Sequence, residues 1–204
     1  MQAQLTALTL DEETARAEVY GLLAALYYAA PSADLYENLR VAVTQAPVAG
    51  ALLESSWSEL VAAARAQSLD ATGLEYDALF GGVGKPEVYL YGSHYLSGFL
   101  NEKPLAALRS DLAALSLARG EAMSETEDHV AYLCEVMRYL IAGDDVEVAN
   151  LTRQRQFFTR HLQPWVETLC EAIARNPKAR FYLALSTFTR AFAGVESQGF
   201  DILD

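Results

Sequence analysis

A chain of 204 residues can bury roughly 70% of the surface that its unfolded form exposes, so one domain over residues 1–204 needs no disulfide or metal to fold. The formal net charge of −12 excludes a nucleic-acid partner, because most of the surface would repel a phosphate backbone. The longest apolar stretch, residues 19–30, is too short to span a membrane.

The composition also indicates a compartment and a fold class. The N-terminus has neither the basic region nor the cleavage motif of a secretory signal peptide. Cys134 and Cys170 have apolar neighbours and form no Cys-x-x-Cys pair, which favours buried, reduced thiols. We therefore expect a cytoplasmic protein that associates with membranes only through its partners. Hydrophobic residues make up 52% of the chain, Ala and Leu dominate, and the composition favours helices.

Helical periodicity with capping and stop signals predicts the N-terminal helices within residues 9–80. The first begins at a Thr9–Glu12 capping box and ends before Pro31, the second runs from Ser32 towards Pro47, the third covers residues 50–67, and the fourth covers residues 70–80.

Residues 81–101 are predicted to form a long irregular connection, which contains the stretch "GGVGKPEVYLYGSHY". Its glycines and proline lie too close together for a regular helix: Gly81, Gly82, Gly84, Pro86 and Gly92. A phosphate-binding loop is disfavoured, because it would need Gly where Leu79 stands and Ser or Thr where Pro86 stands. Long connections in compact domains are functional or mobile, and such a segment can also act as a hinge, so a monomer and a helix-swapped homodimer both remain open.

The C-terminal helices are predicted within residues 102–196. They comprise a helix with Pro104 in its first turn that runs to Gly120, one from a Ser124–Glu127 capping box to Gly143, one from Asp145 that bends at Pro164, and one capped by Asn176 with Pro177 in its first turn. The fold class is therefore an all-α, single-domain bundle of about eight to ten helices.

The stretch "ETEDHVAYLCEVM" places Glu125, Glu127, Asp128 and His129 in the first turns of a predicted helix. Acids at that position are partly explained by the helix dipole. The alternative is a carboxylate-rich edge beside apolar side chains, which suits a ligand with a cationic end and an apolar body.

No catalytic, metal or cofactor site is predicted. The chain lacks the Glu-x-x-His pairs of di-iron bundles and the paired His or Cys residues of zinc sites. Ser93 follows no strand, so the sharp nucleophile turn of a hydrolase is not expected.

Three motifs, "YDALFGGVGKPEVYLYGSHY", "ETEDH" and "FFTRHLQPW", resemble in order those of the TorD/DmsD family of redox-enzyme maturation chaperones. The chain departs from the family pattern at Val83 and Thr126, where the family commonly has proline. The resemblance implies an all-helical cytoplasmic chaperone without enzymatic activity. Such a chaperone binds the twin-arginine signal peptide and the apo form of a molybdenum-cofactor oxidoreductase, assists cofactor insertion and delays export by the twin-arginine translocation (Tat) system.

The resemblance also implies a signal-peptide site, formed where the helical halves meet, and two further partner contacts. The implied site residues are Tyr91, Ser93, Tyr95, Glu125, Glu127, Asp128 and His129, and the implied partner contacts are His161 and Trp165. Tyrosines offer large, rigid contact area at low entropic cost, although they could instead cover the core. Two other functions remain open: a factor that binds GTP weakly, with Lys85 near a phosphate, and an assembly subunit that docks an enzyme body without recognising its leader.

Overall fold

A computed structural model describes residues 2–44, 52–81, 85–120 and 124–202, with side chains from residue 12 onwards. These residues form ten helices and no strand, which confirms the all-α class. The helices are α1 (Gln2–Tyr28), α2 (Ala33–Val41), α3 (Glu54–Ala66), α4 (Leu69–Phe80), α5 (Gly92–Ser97), α6 (Lys103–Ala114), α7 (Val130–Ala142), α8 (Leu151–His161), α9 (Gln163–Arg175) and α10 (Phe181–Asp201). Within the described ranges, no helix combines the length and the apolar character that a membrane crossing requires.

Several helix ends follow local sequence signals. The Ser32 side chain caps α2, and the Ser68 side chain caps α4 by accepting the N–H of Ala71. Pro104 lies in the first turn of α6, where a backbone N–H would have no partner within the helix, so proline costs no hydrogen bond there. Gly143 ends α7, as predicted.

Four predicted helix starts are wrong. α1 already begins at Gln2, so Thr9 does not cap it. α7 begins at Val130 with His129 as its cap, and α8 begins at Leu151 with Asn150 as its cap, instead of at Ser124 and Asp145. α10 begins at Phe181 and runs past residue 196 to Asp201. Asn176 accepts the N–H of Lys178 in a turn before α10, so its side chain is used outside that helix.

The predicted connection is not irregular throughout. α5 occupies residues 92–97 within it, and Gly92, expected to break helical structure, is the first residue of α5. Gly98 ends α5 in the left-handed conformation at φ 81°, which glycine adopts without strain. Gly82, Val83, Gly84 and Pro47 lie outside the described residues.

The chain divides into two compact units, each built from two segments. The first unit comprises Met1–Tyr28 and Tyr91–Trp165. Its core lies along α7, which packs on α1 and α8 and is buried on most of its circumference. Cys134 on α7 is a buried free thiol, as predicted, and burial raises its pKa.

The second unit comprises Ala29–Leu90 and Val166–Asp204, and in it α10 packs against α3 and α4. The rings of Trp57 and Phe188 lie 5.5 Å apart, which joins α3 to α10. The start of α10 has no side-chain cap of its own, and buried Glu75 on α4 supplies the acceptors instead. Cys170 is also a buried free thiol, with a pKa raised by burial to about 12, so it stays protonated and unreactive at neutral pH.

Candidate functional site

Asp128 fastens α5 to the segment that precedes α7. Its backbone oxygen accepts the N–H of Gly92 at 2.9 Å, and its Oδ2 accepts the N–H of Ser93 at 2.9 Å. Its Oδ1 accepts the hydroxyl of Thr126 at 2.7 Å. Since the first N–H groups of a helix lack partners within the helix, the Asp128 carboxylate acts as the N-terminal cap of α5 from a distant part of the chain.

His129 is buried beside Asp128 and caps α7. Its Nδ1 accepts the N–H of Ala131 at 3.2 Å, and its ring lies edge-on to the rings of Tyr91, at 5.1 Å, and Tyr28, at 6.4 Å. Burial lowers the pKa of His129 to about 4, although the carboxylates of Glu125 and Asp128 raise it in part. His129 is therefore neutral at physiological pH and cannot repel a cationic ligand.

The prediction that the carboxylate-rich edge lies in the first turns of a helix is wrong, and the structure also determines its exposure, which the sequence left open. Glu125, Glu127 and Asp128 precede α7 instead of occupying its first turns. Asp128 and His129 are each 4% exposed, because both cap helices inside the protein.

Glu125 and Glu127 are half-buried, and each carboxylate already has a hydrogen-bond partner. Glu125 accepts a hydrogen bond from the Tyr91 hydroxyl. Glu127 forms a salt bridge with Arg109 at 2.8 Å. Burial alone would raise the pKa of Glu127, but the hydrogen bond from Arg109 opposes it, and the net effect is a lowered pKa.

Tyr95, His161 and Trp165 form a second cluster around α5. The ring of Tyr95 stacks on the indole of Trp165 at 5.5 Å, with 12° between their planes. The Trp165 Nε1–H donates to the backbone oxygen of His161 at 2.6 Å, and His161 Nε2 lies 2.7 Å from Asp111 Oδ2. Burial lowers the pKa of His161, against the opposing effect of Asp111. This cluster fixes the indole position beside α5.

A cavity of about 130 Å³ lies within the first unit beside α5. Most of its wall is apolar, from Leu96, Pro104, Ala107, Leu108, Leu133 and Trp165. Its polar lining comes from Ser93, Asp128, Arg160 and His161. An apolar wall with a few convergent polar groups is the usual composition of a ligand-binding cavity.

Gly92 allows the indole of Trp165 to approach α5 closely. A Cβ at residue 92 would lie 2.9 Å from Trp165 Nε1 and 3.0 Å from Cε2. Gly92→Ala should therefore lower the free energy of unfolding by about 1–3 kcal/mol, because the buried indole must shift. Urea denaturation measures the loss, and the near-ultraviolet circular dichroism should change with it.

Gly194→Ala is the matched control for Gly92→Ala. A Cβ at residue 194, inside α10, meets nothing within 4 Å. This variant should be more stable by about 0.5–1 kcal/mol, since alanine favours the helix. Equal stability of the two variants would contradict the close approach at Gly92.

All nine predicted site residues lie in the first unit. Sequence reasoning missed Gly92, Leu96, Asp111 and Arg160. Gly92 carries a local signal, since glycine often marks a close approach of backbone to another group. Asp111 is 50 residues from His161 in the chain, and no local pattern predicts their contact. Within the described ranges, no group of three or more His, Cys, Asp or Glu side chains could hold a metal ion.

The chain is similar to several known proteins. Residues 48–171 match the family model described as nitrate reductase delta subunit. The chain is 26% identical over 193 residues to the chaperone protein TorD of Vibrio cholerae serotype O1, covering 87% of this chain and 88% of that protein. A solved structure described as a redox enzyme maturation protein from Archaeoglobus fulgidus aligns with a TM-score of 0.54 at 17% identity, covering 89% of this chain and 93% of the other, which supports the fold.

Proposed function

Because the chain belongs to the nitrate reductase delta subunit family, we propose that it is a chaperone that holds the apo form of a molybdenum-cofactor oxidoreductase until its cofactor is inserted. The family model, the similarity to TorD and the shared fold together confirm the resemblance to the TorD/DmsD family of redox-enzyme maturation chaperones. In this proposal the protein also binds the twin-arginine signal peptide of that client and so delays its export. It acts by binding and needs no nucleophile.

The observation that carries the proposal is the exposure of large apolar side chains at the end of α5. Leu96 is 42% exposed, Phe99 70% and Leu100 41%, and Leu96 also lines the cavity. Large apolar side chains that are exposed close together mark binding surfaces. Burying each one contributes roughly 1.5–3 kcal/mol before the cost of ordering a peptide is subtracted, which suits the apolar segment of a leader.

Electrostatics supports a cationic partner. The net charge of −12 attracts the basic region of a leader at long range and speeds encounter. Because Glu125 and Glu127 already bind Tyr91 and Arg109, we assign them to this long-range attraction. Asp128 lines the cavity and is the carboxylate placed for direct contact. A leader is bound before export, so we place the protein in the cytoplasm.

Phe99→Ser should weaken binding of a leader about tenfold or more, since it removes one large apolar contact. The probe is a synthetic peptide with two adjacent arginines followed by an apolar segment of about 12 residues. Titration calorimetry measures the dissociation constant.

Leu74→Ser is the matched control for Phe99→Ser, because Leu74 lies on α4 in the second unit and is also 70% exposed. It should leave the dissociation constant unchanged. Equal weakening by both variants would indicate nonspecific hydrophobic binding. If the wild type does not bind the peptide but binds the apo-enzyme without its leader, the proposed leader binding is wrong. That result would favour an assembly subunit that docks the enzyme body.

A further inference from the structure

An exposed segment joins α5 to α6 at the edge of the cavity. Residues 96–103 are all exposed. On either side of this connection, Leu96 at the end of α5 and Pro104 at the start of α6 both line the cavity. The residues between them therefore lie at its rim. We call residues 98–102 the strap.

The strap is held only by local hydrogen bonds within the described residues. The Gly98 N–H donates to the last turn of α5, and the Glu102 backbone oxygen accepts from the first turn of α6. The Ser97 hydroxyl lies 2.7 Å from the Ser93 backbone oxygen and 3.2 Å from that of Phe99, so one proton serves two acceptors. A segment with few buried contacts and exposed backbone rearranges at low cost in free energy.

Two residues of the strap have a left-handed backbone conformation, Gly98 at φ 81° and Asn101 at φ 61°. Glycine and asparagine adopt this conformation, and leave it, at lower cost than other residues. The hinges of mobile segments are a few loop positions that absorb such changes in backbone angle. The Asn101 side chain is exposed and forms no hydrogen bond or ion pair with the described part of the chain, so it does not fix the backbone there.

The strap carries two large apolar side chains between these positions, Phe99 and Leu100, and both are exposed. Their exposure is unfavourable in water. The cavity, at about 130 Å³, cannot take both, since a cavity of about 150 Å³ in another protein holds a single benzene molecule. Burial of both side chains therefore needs a second apolar surface, and the apolar segment of a leader provides one.

We propose that the strap closes over the bound leader by rotation about Gly98 and Asn101, which brings Phe99 and Leu100 onto the apolar segment of the leader. The inference rests on the proposed function and adds a conformational step to it. A closed strap must open again before the leader leaves, so closure slows release. Slow release suits a chaperone that holds its client until the cofactor is inserted.

Stopped-flow fluorescence tests the closure, with the peptide of two adjacent arginines and an apolar segment as the probe. Trp165 lines the cavity, so in a Trp57→Phe background its emission reports on binding. With increasing excess of peptide the observed rate should rise and then reach a plateau, because closure is a first-order step that follows binding. A surface that binds without closing gives a rate that rises linearly with peptide concentration.

Asn101→Gly should raise the plateau rate about threefold or more, because glycine moves between left-handed and other conformations more readily than asparagine. Ser116→Gly is the matched control. Ser116 is the other described non-glycine residue with a positive φ, at 57°, and it is exposed beyond the end of α6. This variant should leave the plateau rate unchanged.

Hydrogen exchange gives a second readout of closure. The backbone N–H groups of residues 99–101 have no acceptor within the described residues, and the peptide should slow their exchange about tenfold or more. Exposed residues 144–146 of the same unit should exchange as before. A linear rate that is equal in wild type and Asn101→Gly, or unchanged exchange at residues 99–101, would overturn the strap and leave the proposed function standing. Absence of any binding would overturn both.

Discussion

Glu75→Ala should lower the free energy of unfolding by about 4 kcal/mol. Three successive backbone N–H groups at the start of α10, those of Arg180, Phe181 and Tyr182, donate to the Glu75 carboxylate at 2.7, 3.1 and 2.8 Å. Two of these bonds are buried, and each buried donor left without an acceptor costs about 1–3 kcal/mol. The loss of a negative charge at a helix N-terminus adds to this cost. Urea denaturation followed by far-ultraviolet circular dichroism measures the change.

Two further variants serve as comparisons for Glu75→Ala. Glu75→Gln keeps one acceptor oxygen and should cost about 2 kcal/mol, roughly half of the alanine value. Glu171→Ala removes a surface carboxylate that pairs with Arg175 across one helical turn and should change stability by less than about 0.5 kcal/mol. A cost below about 1 kcal/mol for Glu75→Ala would mean that water or another side chain caps α10 equally well.

The sequence predicted those helix ends that depend on neighbouring residues. Ser32 caps α2 through the N–H of Leu35, three residues on, and Gly143 stops α7 directly. Pro104 lies in the first turn of α6 for an equally local reason, since its fixed backbone angle and missing N–H suit that position. The all-α class followed because composition and helical periodicity both extend over the whole chain.

The sequence failed where a helix is capped by a distant residue. The carboxylate of Glu75 reaches across 105 residues to the N–H of Arg180, and that of Asp128 reaches across 35 residues to the N–H of Ser93. For α10 a plausible local signal, Asn176, drew the predicted start several residues too early, and α5 was not predicted at all. Nothing in a single sequence distinguishes a used capping box from an unused one.

In the candidate site, too, the sequence predicted what depends on neighbouring residues and missed what depends on distant ones. The site residues that the family motifs predict all lie in one unit. The placement of Asp128 and His129 in the first turns of a helix was wrong, because helical periodicity was extended to residues that precede α7, and the sequence did not determine that both are buried. The Ser93 hydroxyl has no hydrogen-bond partner among the described residues, and this depends on the packing of α6, α7 and α8, which residues 91–95 alone could not predict.

The free energy of unfolding should fall with acidification between pH 6.5 and about 4, in part through His129. In the folded protein burial lowers its pKa to about 4, whereas in the unfolded chain the pKa is near 6.5. The unfolded state thus binds the proton first as the pH falls, so the contribution is complete above pH 6.5 and is lost towards pH 4. The full loss is about 3 kcal/mol, of which about 2 kcal/mol should appear between pH 7 and pH 5.

His129→Asn isolates this contribution, because asparagine caps a helix but does not titrate. The difference in unfolding free energy between wild type and His129→Asn should shrink by about 2 kcal/mol from pH 7 to pH 5. The chain has two tryptophans, Trp57 in the second unit and Trp165 in the first. In a Trp57→Phe background the fluorescence of Trp165 therefore reports on the unit that contains His129. Because burial also lowers the pKa of His161, the wild-type curve alone is not diagnostic, and the difference from His129→Asn is the decisive quantity. A difference that stays constant over this range would mean that His129 is as readily protonated in the folded protein as in the unfolded chain, and the buried capping role would be wrong.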